Sequence, residues 1–275
     1  MCRLIGLFVL SFLAACSPLQ IVDHLTPKTG YERVQGIPYG EGPRRTYDLY
    51  EPTGPRRDAP AIVYFYGGGW KTGDKNKYRF VAQTLAKAGY TVAIPDYRLY
   101  PDVTFPAFVE DGAKAVAAVW RRLDRPVILI GHSAGAHIAM MLTLDSTWLA
   151  AEGIDVDATV KATVGLAGPY DFLPLSDNLR PILAPGGDPD ASQPIAYARG
   201  DAPPLLLVHG EADRTVLPKN TANLAAAIER LGGDVTVITY PKVAHAGVIG
   251  AFSKRLAFLA PTRADVLRWL DGRGL

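Results

Sequence analysis

Cysteine is nearly missing from this sequence, with two in 275 residues, at positions 2 and 16. Beyond residue 16 there can be no disulfide and no thiol nucleophile, so the fold must be held by its core. Charge of one sign is also missing: 29 basic side chains face 27 acidic ones, a formal net charge of +2. The arginine pairs at 56–57 and 121–122 are isolated and belong to no basic block. Neither nucleic acid nor an electrostatically bound membrane surface is therefore expected as a partner. Histidine is scarce, with five, and none lies in a His/Cys cluster of ligand spacing. The sequence calls for no metal and no cofactor. What remains is ordinary globular composition, 48% hydrophobic and 20% charged, on a chain long enough to bury a large core.

The N-terminus reads as an address. MCRLIGLFVLSFLAAC runs from Arg3 through the apolar stretch Leu4 to Leu13 into small residues. That is a secretory signal pattern, too short to span a bilayer comfortably. Its end, Leu13-Ala14-Ala15-Cys16, resembles the lipobox of bacterial lipoproteins. The resemblance implies cleavage before Cys16, a diacylglyceryl group on that thiol and durable attachment to a membrane. Ser17 in place of aspartate leans, in that family's sorting pattern, toward the outer membrane facing the periplasm. Ordinary cleavage without lipidation, or an uncleaved apolar tail, is the competing reading. Residues 17–30, polar and broken by Pro18 and Pro27, are expected to be a tether, and residues 31–275 a single domain.

Along that domain, short apolar runs alternate with amphipathic segments. TYDLYEP reads as an early, partly exposed strand; AIVYFY, TVAIP, VILIG, ATVGLAG, PLLLVHG and VTVITYP are near-continuous apolar runs. Runs of this type fit parallel strands covered on both faces. Helical patterns fall at Tyr78–Ala88, Phe108–Leu123, Ala134–Leu144, Lys219–Leu231 and Pro261–Leu270. The alternation predicts an α/β fold with a mostly parallel twisted sheet and helices on both faces. Residues 170–201, rich in Pro, Gly and Asp and without periodicity, are expected to pass over the top of the sheet. They leave material for only a minimal cap.

In VILIGHSAGAHIAM a lone serine, Ser133, stands between Gly131 and Gly135 where a strand turns into a helix. Two readings fit. The glycines permit a sharp turn that presents the hydroxyl above the sheet, next to a helix N-terminus that favours negative charge. Alternatively the serine is an ordinary N-cap. A nucleophilic serine needs a base, and the base needs an orienting acid. Asp213 follows the strand PLLLVHG, and His245 follows VTVITYP. The chain order Ser133, Asp213, His245 is the one this elbow requires. Glu211 is the rival acid; Asp96 is expected to fix a loop, His132 to lie beside the elbow, and His137 and His209 to be satisfied buried histidines. His24 falls in the tether. Acyl transfer also needs donors for the oxyanion, and YGGGW, Tyr66 to Trp70, follows the strand before the elbow.

YFYGGGW, AIPDYRLYP, GHSAGAHIA, HGEADRTV and VAHAG together resemble the α/β-hydrolase family, among serine esterases with an HGGG-type oxyanion loop. These include hormone-sensitive-lipase-like carboxylesterases, feruloyl and acetyl esterases, and kynurenine formamidases. The resemblance implies Ser133 as nucleophile, His245 as base, Asp213 as orienter, and the amides of Gly68, Gly69 and Ala134 as oxyanion donors. One departure is Tyr66, where the family usually carries histidine. A tyrosine either braces the loop in another way or turns its hydroxyl toward the oxyanion. The expected substrate is a small ester of a short acid, held in an open pocket with Trp70 and Tyr170 as walls. An amidase or formamidase using the same triad is the alternative, and a non-catalytic binding protein on the same scaffold a remote one.

Overall fold

Strands that are apolar on both sides must be covered on both sides, and the computed structural model supplies that cover. It describes residues 22–275. The signal segment, the lipobox and Cys16 lie outside the described residues. Among those described, eight strands form one sheet. They are β1 (Tyr31–Pro38), β2 (Thr46–Pro52), β3 (Ala61–Phe65), β4 (Val92–Pro95), β5 (Val127–His132), β6 (Val160–Leu166), β7 (Leu205–Gly210) and β8 (Val235–Tyr240). Their spatial order is β1-β2-β4-β3-β5-β6-β7-β8. The pairs β1/β2 and β2/β4 are antiparallel, and all others are parallel. This is the α/β-hydrolase arrangement, with every expected strand in place.

The longer helices are α1 (Arg79–Lys87), α2 (Ala107–Leu123), α3 (Ala134–Leu144), α4 (Lys219–Arg230), α5 (His245–Gly250) and α6 (Thr262–Asp271). All eleven residues of α3 are buried, because the helix leaves the central strand β5 and is enclosed on all sides. β3, β5 and β7 are buried along their whole length, as two-sided cover requires. No helix among the described residues is long and apolar enough to cross a membrane.

Two features depart from the sequence reading. The edge strand β1 was not expected; its residues alternate irregularly between half-buried and exposed, which leaves no apolar run to read. Residues 22–29, expected to belong to the tether 17–30, dock on α1, and residues 17–21 lie outside the described residues. Arg79 donates to the carbonyls of Asp23 and Thr26 and pairs with the Asp23 carboxylate at 3.5 Å. Gln83 donates to the Pro27 carbonyl at 2.5 Å. Asp23 and Thr26 are buried as a result. The excursion after β6 forms only short helical turns, at Arg180–Leu183, Asp190–Ser192 and Pro194–Tyr197.

Candidate active site

The site begins at the junction of β5 and α3. Ser133 has φ 54° and ψ −123°, strained for a residue with a side chain. Its amide donates to the Leu166 carbonyl at 2.9 Å, tying the turn to the end of β6. A Cβ at residue 131 would lie 2.2 Å from the Gly135 carbonyl oxygen, and one at residue 135 would lie 2.1 Å from that of Phe65. Only glycine fits at either place. The Ser133 side chain makes no capping bond to α3, so the N-cap reading is set aside.

The hydroxyl of Ser133 lies 2.9 Å from Nε2 of His245. Nδ1 of that ring lies 2.7 Å from Oδ2 of Asp213. His245 opens the short helix α5 just past β8, and the fully buried side chain of Asp213 sits just past β7. The other carboxylate oxygen accepts the amides of Thr215 at 2.8 Å and Val216 at 3.0 Å. Burial works against the Asp213 carboxylate. Hydrogen bonds from His209, His245 and the Val216 amide outweigh it and hold the group well below the usual carboxylate range.

The remaining titratable groups sort themselves. Glu211 is exposed and accepts from the Thr239 hydroxyl at 2.8 Å, away from the relay. His137 is buried, with Nε2 at 2.8 Å from the Ser192 carbonyl, and burial pushes its pKa down to about 4. His132 lies beside His245, with ring centroids 4.9 Å apart and the planes tilted by 39°. Burial first, then the neighbouring imidazole, pushes its pKa down to about 3. His24 is exposed. Sequence reasoning missed the place of His209: Nδ1 lies 2.8 Å from the Thr221 hydroxyl, Nε2 2.9 Å from the Val216 carbonyl and 3.3 Å from Oδ2 of Asp213. Its position four residues before Asp213 was the available signal.

The glycine loop faces the same point. Gly68, Gly69 and Trp70 all have positive φ, at 141°, 60° and 60°. A Cβ at residue 67 would lie 2.9 Å from Cβ of Ser133, so the first glycine lets the loop approach the elbow. Gly69 and Ala134 line the cleft beside Ser133. Among the described residues, no protein acceptor takes the amides of Gly68, Gly69 or Ala134.

Tyr66 settles its two possible roles by direction. Its hydroxyl donates to Oδ1 of Asp96 at 2.7 Å and accepts from Arg44 at 2.8 Å. Its ring stacks between Tyr78 and Tyr97. Asp96 also accepts the Lys75 amide and ammonium, each at 2.9 Å. The tyrosine thus braces the root of the loop, and its hydroxyl is committed to Asp96.

The cleft above Ser133 has a volume of about 530 Å³. Trp70, Phe172, Leu173 and Leu179 line one part, Val216 and Leu217 another. Trp70 thus stands where a wall was expected. Tyr170 does not. It is fully buried, packs with Met140 and Leu207, and a Cβ at residue 165 would meet its hydroxyl at 1.9 Å. The neighbours Pro169 and Phe172 line the cleft instead.

The family model described as BD-FAE matches residues 47–228, about two thirds of the chain and all of the elbow. The chain belongs to the BD-FAE family. Relatives of this BD-FAE protein include the isoprenylcysteine alpha-carbonyl methylesterase ICME of Arabidopsis thaliana, 26% identical over 77% of this chain and 56% of that one. The kynurenine formamidase of Salmo salar is 32% identical over 56% of this chain and 55% of that one. The chain thus spans little more than half the length of these relatives. Among solved structures, esterase B of Lactobacillus rhamnosis in complex with a tributyrin phosphonate superposes with a TM-score of 0.80. At 22% identity it covers 98% of this chain and 94% of that one, and it shows the shared fold.

Proposed function

We propose that this BD-FAE protein is a serine hydrolase that cleaves carboxylic esters of short acids through an acyl-enzyme. The observation that carries the reading is the unbroken hydrogen-bonded line from Ser133 through His245 to Asp213, opening on one cleft. His245 Nε2 takes the hydroxyl proton as Ser133 Oγ bonds to the carbonyl carbon. The carbonyl oxygen becomes an oxyanion, held by the amides of Gly68, Gly69 and Ala134. When the C–O bond breaks, His245 gives its proton to the departing alcohol. Water then enters by the same route and frees the acid. Asp213, kept ionised by the hydrogen bonds it accepts, stabilises the imidazolium formed in each half-reaction.

The test is Ser133→Ala assayed on p-nitrophenyl acetate and butyrate. Turnover should fall by ~10⁴-fold or more. Activity retained within a few fold ends the reading, as does failure of a fluorophosphonate to label Ser133. Faster turnover of long-chain than of butyryl esters would remove the short-acid part, which rests on a ceiling made by the single excursion after β6.

Similarity to a kynurenine formamidase supports a second reading, cleavage of an N-formyl aromatic by the same triad. A panel setting N-formyl aromatics against acetyl and feruloyl esters separates the two by kcat/KM. The lipobox at Leu13–Cys16 supports export and lipidation at Cys16, with residence on the periplasmic side of the cell envelope. Metabolic labelling with a palmitate analogue, lost in Cys16→Ser, tests that placement.

A further inference from the structure

The docked N-terminal segment sits next to an unusual surface. Leu25, Thr26 and Pro27 line a cavity of about 270 Å³ together with Lys87, Lys254 and Arg255. The turn that carries those last two cations goes on to Phe258, 80% exposed, and Leu259, 38% exposed; Leu25 itself is 47% exposed. Lys87, Lys254 and Arg255 form no ion pair with any described residue, although many of the chain's arginines do. Cations around exposed aromatic and aliphatic side chains suit the boundary between lipid headgroups and acyl chains. The charges come from two places far apart in sequence, Lys87 and the pair Lys254-Arg255, which is why composition alone gave no sign of a basic surface.

The chain's attachment points the same way. The described chain begins at Val22, six residues past Cys16. Six residues reach about 22 Å at most when fully extended. Because residues 22–29 are pinned to α1 by Arg79 and Gln83, a lipid on Cys16 holds the bilayer within that distance of Val22, three residues before Leu25 of the patch. We infer that the surface formed by Leu25, Lys87, Lys254, Arg255, Phe258 and Leu259 rests on an anionic phospholipid layer as a second membrane contact beside the lipid anchor. The inference rests on reading Cys16 as lipidated. An acyl anchor and a basic, apolar patch then act together, the patch fixing how the body of the molecule lies on the membrane.

The experiment uses the full chain, purified from membranes and reconstituted into vesicles. Phe258→Cys is labelled with a polarity-sensitive fluorophore, and exposed Asp157→Cys serves as the control position. Mass spectrometry of the N-terminal peptide reports acylation independently. In vesicles of phosphatidylethanolamine and phosphatidylglycerol the probe at 258 should shift to the blue and the probe at 157 should not. Adding Lys254→Glu and Arg255→Glu, or replacing the lipid with phosphatidylcholine alone, should remove most of the shift. Turnover of a water-soluble ester should be unchanged. An acylated chain whose probe at 258 stays as wet as the control overturns the docking and leaves the anchor standing. An unacylated N-terminus overturns both. A shift that appears without vesicles and tracks a dimer in sedimentation assigns the face to a second copy and overturns the proposal.

Discussion

Nε2 of His209 lies 3.3 Å from Oδ2 of Asp213, the same oxygen that receives the His245 ring at 2.7 Å. The acid of the relay is therefore held by the His245 imidazole and two amides, with the single Nε2 proton of His209 shared between it and the Val216 carbonyl at 2.9 Å. His209 touches no substrate; it is a positioning residue. A hydrogen bond to a buried charge contributes about 1.5–3 kcal/mol. His209→Leu should thus lower kcat by roughly ten- to a hundredfold, with KM little changed. Asp213 would also lose a donor that keeps it ionised, so the acid limb of the kcat profile should move to higher pH. A lower melting temperature with an unmoved pH profile would show a purely structural role.

Tyr66→Phe removes the hydroxyl shared by Asp96 and Arg44. It leaves a buried carboxylate with fewer donors and a guanidinium with fewer acceptors. The expected cost is about 1–3 kcal/mol of stability, read by urea denaturation. The glycine loop springs from this residue, so kcat should fall more than 1/KM does. An unchanged kcat would mean that the stacked rings alone hold the loop.

Gly135→Ala should be among the most damaging single changes in the molecule. The new Cβ would lie 2.1 Å from the Phe65 carbonyl oxygen, in backbone that cannot yield without moving β3. Overpacking of this kind typically costs about 1–3 kcal/mol, and a backbone clash at the elbow belongs at the upper end or beyond. Soluble yield and melting temperature should both drop, and any folded fraction should react slowly with fluorophosphonate. Wild-type stability and labelling would contradict the packing described for the elbow.

The buried histidines set an acid limit. The native pKa values of His132, about 3, and His137, about 4, lie below the ordinary unfolded value near 6.5. The unfolded chain therefore binds more protons between those values, and stability falls as pH drops below about 6.5. From pH 7 to pH 5 each histidine should cost about 2 kcal/mol. His137→Phe should flatten the slope by about half. The lowered pKa of Asp213 acts in the same direction at lower pH: its contribution is present above about 3.9 and is lost as pH falls through the native value. A stability flat from pH 7 to pH 5 would show that the two rings are solvated.

The parallel part of the fold was legible because a strand covered on both faces leaves a run of apolar residues, as in VILIG and PLLLVHG. β1 leaves none: it lies at the sheet edge, and its half-buried positions break step at a bulge between Val34 and Ile37. The triad was legible because its members follow strand ends in a fixed order. Residues 22–29 read as tether because what holds them, the side chains of Arg79 and Gln83, lies more than fifty residues away. Tyr170 was misplaced for a related reason. An aperiodic segment gives no face, and the residues that turn its ring inward, Gly165 and Gly168, act by having no side chain.

Two side-chain amides hold the start of the cleft's ceiling, and buried Leu175, Ile182 and Leu183 anchor the rest of it in the core. Oδ1 of Asn220 accepts the amides of Tyr170 and Asp171, at 2.9 and 2.8 Å, and Oε1 of Gln193 accepts that of Phe172 at 3.0 Å. The reacting groups, by contrast, are rooted in the sheet and the helices that leave it. Phe172 to Leu179 thus form a wall set apart from the relay, whereas Trp70, Val216 and Leu217 belong to the loops that carry the oxyanion donors and Asp213. Changes at Phe172, Leu173 and Leu179 should alter which acid fits while the proton relay keeps its geometry, provided both amide hooks and the buried Leu175 remain.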